Sequence, residues 1–170
     1  MKTTTVKLYS LNFIEAKTYL FAALFIAGNI ILPQLCHTIP QGGLIILPIY
    51  FFTLIGAYKY GWRVGLLTAV LSPLVNNLLF AMPANAMLMP ILIKSTILAV
   101  AAGYVASRTG KVTLSTLAAV VLLYQGIGTM AEWAMSGSLA VALQDFRLGL
   151  PGMMLQIVGG YLFIKYLLKK

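Results

Sequence analysis

Apolar residues fill this chain in long runs, separated by short breaks of charged, glycine and proline residues. Six runs can be drawn, at roughly 18–35, 44–58, 64–80, 86–107, 113–133 and 148–168. A helix rises 1.5 Å per residue, so about 20 apolar residues cross the ~30 Å hydrocarbon core of a bilayer. The second run is short and holds Pro48, and is expected to be little tilted, broken, or helical only in part. The pattern predicts an all-α integral membrane protein with six transmembrane helices in one compact bundle. No internal repeat or long linker divides it, so residues 1–170 are expected to form a single domain. Ahead of the first run, residues 6–17 carry Leu8, Leu11, Phe13 and Ile14, which predicts a short interfacial helix or an extension of the first span. The first run is longer than a signal-peptide core and no small-x-small site follows it, so it is expected to remain as a helix.

Composition agrees with this pattern. Hydrophobic residues make up 61% of the chain and charged residues 9%, with a mean hydropathy of +0.94. A soluble domain carries about 25% charged residues. These values exclude a soluble enzyme, a nucleic-acid module and a disordered tail. The net charge of +9 changes the picture through its placement. Lys2, Lys7, Lys17, Lys59, Arg63, Arg108, Lys111, Lys165, Lys169 and Lys170 all fall on one side of the six-span topology, ten of the twelve basic residues. Arg147 lies opposite and Lys94 lies inside the fourth span. The positive-inside rule then places both termini in the cytoplasm. A single cysteine forms no intrachain disulfide.

Polar groups inside hydrocarbon are costly and mark candidate sites. Asn76 and Asn77 lie late in the third span, Lys94 early in the fourth, Glu132 and Trp133 at the end of the fifth, and Gln156 about a third of the way down the sixth. His37, Gln41, Asn85 and Gln144 fall in outer loops. All converge on the outer half of the bundle, which predicts an outward-facing substrate pocket. Each residue also has a structural reading. Lys94 reaches the headgroups by snorkelling or pairs with Glu132. Trp133 offers a stacking face or sits as an interfacial anchor. Asn76 and Asn77 serve as interhelical glue, with one of the two facing the pocket. Cys36 and His37 are two adjacent soft ligands without further partners, so no metal site is expected. Met82, Met87, Met89, Met153 and Met154 read as adaptable packing. One histidine and three scattered acidic residues, with no HExxH or GxSxG, give no catalytic constellation, and no GxxxxGK[ST] loop is present to hydrolyse ATP.

In the first span Ala23 and Ala27 stand four apart on one helix face, where small residues permit close approach of another helix. The stretch 42–71, GGLIILPIYFFTLIGAYKYGWRVGLLTAVL, resembles the second and third spans of the substrate-binding S components of energy-coupling factor (ECF) vitamin transporters. Pro48, Gly56, Tyr60, Gly61 and Gly65 match the family's series, and Ala23 and Ala27 match its small-residue motif.

The resemblance implies a non-enzymatic protein of the bacterial inner (cytoplasmic) membrane. Such a protein binds a water-soluble vitamin or precursor from outside and associates through Ala23 and Ala27 with a membrane coupling subunit and an ATPase pair. It needs no cofactor of its own, ATP being used by the partners, and some members are solitary. The candidate ligand contacts, read from the polar residues themselves, are Glu132, Trp133, Lys94, Asn76, Asn77, Gln156 and His37, with Glu132 and Trp133 suiting an aminopyrimidine, Lys94 a carboxylate, and Cys36 and His37 a cobalamin-type molecule. Two other readings compete: a small membrane enzyme acting on lipid headgroups through Glu132 with Lys94 or Arg147, and a non-transporting assembly partner.

Overall fold

The computed structural model describes residues 6–168, among which there are helices and turns but no strands. Lys2, Lys169 and Lys170, counted above toward the orientation, lie outside the described residues. Five helices are long and apolar enough to cross a membrane: α1 (Ala16–Cys36), α4 (Trp62–Phe80), α5 (Asn85–Thr109), α6 (Leu114–Ser136) and α9 (Leu150–Leu167). Each runs within a few residues of an expected span.

The second expected span is interrupted. It consists of a short helix α2 (Gly42–Ile46), a left-handed Leu47 (φ 49°), a 3-10 turn Pro48–Tyr50, and α3 (Phe51–Tyr60). Pro48 has no N–H to continue a helix, and it disfavours helical geometry at the residue before it. The chain therefore breaks at Leu47. At ten residues α3 covers only about 15 Å, yet every residue in it except Phe52 is buried. It packs against α1, α4, α5 and α9, so this short helix is the best shielded one. Irregular backbone at membrane depth is tolerated where protein surrounds it.

The other helices close around α3 through contacts of α4 with α5, α5 with α6, and α6 with α9. One buried cluster draws on all of them, including Phe25, Leu54, Val64, Leu98, Val121 and Ile164. Gly61 joins α3 to α4 at φ 106°, a conformation that a side chain would strain. The turn before α6 is held by a capping box, with Thr116 N donating to Thr113 Oγ1 at 3.1 Å. Tyr58 from the end of α3 reaches the same turn, its hydroxyl lying 2.8 Å from Thr116 Oγ1 and 2.7 Å from Lys111 O. After α6 come two short helices, α7 (Leu139–Ala142) and α8 (Gln144–Leu148), and the latter takes up Gln144, expected in a loop.

Residues 6–12 are not helical, contrary to the interfacial helix or helical extension expected there. Tertiary partners override the apolar pattern. Tyr9 N donates to Lys59 O at 2.8 Å and Leu11 N to Tyr60 O at 3.0 Å, while Lys59 Nζ donates back to Lys7 O. The segment is thus an extended strap across the end of the bundle at which α3 finishes and α4 begins.

Candidate functional site

At the opposite end, where α1, α4 and α6 finish, the break at Leu47 leaves a cavity of about 390 Å³. Pro33 and His37 of α1 and its cap, Gly43 and Leu44 of α2, Pro48 and Ile49 after the break, Asn76 of α4, Met82 and Pro83 of the following turn, and Met87 and Ile91 of α5 line it. The lining residues His37, Ile39, Pro40 and Gln41 are exposed, whereas Asn76 is 1% exposed. This volume lies in the range of small-molecule sites, about 300–1,000 Å³.

A smaller cavity of about 50 Å³ adjoins it, sharing Gly43, Leu44, Ile49, Met87 and Ile91. It is lined also by Tyr50, Lys94 and Glu132. Lys94 of α5 and Glu132 of α6 form an ion pair, Nζ to Oε2 2.5 Å, with side chains 2% and 5% exposed. The position of Gly128, one turn before Glu132, makes this possible: a Cβ there would collide with the Lys94 side-chain methylenes. Lys94 therefore passes over bare α6 backbone to reach its partner. It pairs with Glu132 rather than snorkelling.

Asn76 is fixed by two bonds from its amide nitrogen, to Asn29 O at 2.8 Å and Ser72 O at 3.1 Å. Its Oδ1 has no partner among the described residues. Asn29 ties the helices together beneath it, its Nδ2 donating to Thr53 Oγ1 at 3.0 Å and Ser72 Oγ at 3.3 Å. Asn29 Oδ1 also accepts from Phe52 N at 3.2 Å, satisfying an N–H in the first turn of α3 from a neighbouring helix. His37 Nδ1 lies 2.6 Å from Pro33 O.

Of the seven residues expected at the site, Asn76 and His37 thus line the larger cavity, and Lys94 and Glu132 the smaller. The other three line neither. Asn77 Nδ2 donates to Pro83 O at 2.8 Å and Asn85 Oδ1 at 2.9 Å, pinning the turn between α4 and α5. Trp133 is 49% exposed. Gln156 is buried and accepts from Tyr124 at 2.9 Å, with its Nε2 unpartnered among the described residues. Adjacent residues on a helix point about 100° apart, which is why Asn76 and Glu132 face inward and their neighbours do not.

Several buried polar residues give no signal that the sequence analysis singles out, Asn29 and Ser72 among them, and two more share a face with Glu132. Gln125 and Thr129 are buried on α6, and both amide atoms of Gln125 and the Thr129 hydroxyl have no partner among the described residues. Their signal was the spacing of four and three that sets them on one face with Glu132. Among the described residues no three His, Cys, Asp or Glu side chains come together. No protein-family model matches the chain, and no curated protein or solved structure was found similar to it. The likeness of residues 42–71 to S components stands on those residues alone.

Proposed function

We propose that this chain is the substrate-binding membrane subunit of an ECF-type transporter, taking up a small water-soluble vitamin or vitamin precursor, with a coupling module or alone. The observation that carries this reading is the cavity of about 390 Å³ at one end of the bundle, with a buried, unpartnered Asn76 Oδ1 on its wall. A site of that size, largely apolar and holding a few convergent polar groups, fits a small-molecule ligand. In this reading both termini are cytoplasmic and the chain crosses the membrane six times. The basic residues Lys59, Arg63, Arg108 and Lys111 then face the cytoplasm and the cavity faces outward. The exposure of Ala23 and Ala27 supports α1 as the docking face for a coupling subunit. No step in this function requires catalysis by the chain itself.

The test is to purify the protein from cells grown in rich medium, in mild detergent, and identify small molecules released on denaturation. An Ile91→Trp variant, with the cavity filled, serves as the control. One small molecule at near-stoichiometric amount in the wild type, and its loss from the variant, is the expected result. Lipid alone from both proteins would overturn the reading.

A further inference from the structure

Asn76 and His37 both turn acceptors to the larger cavity, whereas Gln41, exposed at its rim, carries a donor and an acceptor. Both partners of Asn76 Nδ2, Asn29 O and Ser72 O, are carbonyl oxygens, which only accept. The amide is therefore oriented without ambiguity: nitrogen toward the protein, with the unpartnered Oδ1 left as an acceptor. His37 Nδ1 faces Pro33 O, also an acceptor only, so Nδ1 carries the proton. In the neutral ring the remaining nitrogen, Nε2, is then an acceptor as well.

The nearest charges are spent on each other, since Lys94 and Glu132 pair at 2.5 Å. The walls between these groups are apolar. Pro33, Pro40, Pro48 and Pro83 contribute four rings of fixed backbone angle, with Met87 and Ile91 between them. A ligand with net charge would leave water for a wall that offers it no counter-ion. A ligand presenting only acceptors would leave Asn76 Oδ1 buried and unpaired.

We infer that the larger cavity takes an uncharged small molecule that donates an N–H or O–H to Asn76 Oδ1. This deepens the uptake reading and rests on it: it replaces an amine-bearing cation or a carboxylate as ligand by a neutral hydrogen-bond donor.

The test uses the full chain in mild detergent and three probes on one ring system: 2-quinolone, which is neutral with a ring N–H; its N-methyl derivative, which lacks the donor; and quinoline-2-carboxylate, an anion. Equilibrium binding is expected to favour 2-quinolone over each of the others by at least ten-fold, with binding abolished in Ile91→Trp. Equal affinity for the N-methyl compound, tighter binding of the carboxylate, or no binding of any probe overturns the inference. The molecule recovered from rich-medium cells gives a second measurement: it should carry no net charge at pH 7 and at least one N–H or O–H. Recovery of an obligate anion or cation that Ile91→Trp excludes would overturn the ligand chemistry while leaving the uptake function standing. Absence of any recovered small molecule would instead remove the uptake function.

Discussion

Lys94 on α5 and Glu132 on α6 face each other across 2.5 Å, at side-chain exposures of 2% and 5%. Both charges are out of water, so each depends on the other. Replacing one alone leaves a buried charge without its counterpart, which costs about 3–5 kcal/mol. Glu132→Gln and Lys94→Met should therefore each lower thermal stability in detergent markedly. The double variant should recover much of the loss, because a well-packed neutral pair avoids both desolvation penalties. Additive losses in the double variant would show that the two residues do not act as a pair.

Gly128 should be as sensitive as the charges it serves. A Cβ at this position would occupy the space of the Lys94 side chain. Gly128→Leu is expected to cost about 1–3 kcal/mol through overpacking. Combined with Lys94→Ala, which empties that space, the added cost should shrink. Thermal unfolding of the four proteins in the cycle measures the coupling.

Asn29 holds three elements by one side chain, through Thr53, Ser72 and the Phe52 N–H. Asn29→Leu leaves that part-buried N–H without its acceptor and removes the bonds to Thr53 and Ser72, at a cost of about 1–3 kcal/mol. Because Asn76 bonds the Asn29 backbone carbonyl and the Ser72 carbonyl rather than the Asn29 side chain, its amide keeps both partners in the variant. Ligand affinity should fall less than stability does, and measuring both on the same preparation separates the two effects.

The sequence leaves Trp133 as a stacking face for the ligand or an interfacial anchor. At 49% exposure and outside both cavities, it is instead expected to change ligand affinity by less than about two-fold. Binding of the recovered ligand to Trp133→Ala and to Ile91→Trp, side by side, tests this. A loss in the first comparable to that in the second would place Trp133 at the ligand.

Ala23 and Ala27 lie on the exposed side of α1, with Tyr19, Leu20 and Leu24 beside them. Ala23→Trp should leave the stability of the isolated protein unchanged and abolish its co-purification with a coupling module. Normal complex formation by the variant would remove this face as the docking surface.

The five long helices were legible because hydrophobic length alone specifies them. The site was legible only in part. Asn76, His37, Lys94 and Glu132 stood out as polar residues in apolar runs, but their neighbours Asn77 and Trp133 gave the same signal, and composition does not say which way a side chain points. A pocket is expected from the convergence of polar residues, but its walls and shape are not readable from them. Its walls are ordinary prolines, methionines and isoleucine, and its shape comes from the break at Leu47, where Pro48 forbids the continuous helix that the run would otherwise form. The strap of residues 6–12 was misread for a related reason. Its apolar pattern suits a helix, but its backbone is claimed by Lys59 and Tyr60, nearly fifty residues away.

The burial of α3 bears on how the molecule is made. A ten-residue helix spans about half of a ~30 Å hydrocarbon core. When the ribosome has delivered α3 but not α4, the nascent chain holds a segment too short to settle among lipids by itself. Its cover comes from α1, made before it, and from α4 and α5, made after it, with Gly61 the single residue between α3 and α4. The most protected element of the protein thus owes most of its shielding to helices that follow it in the chain.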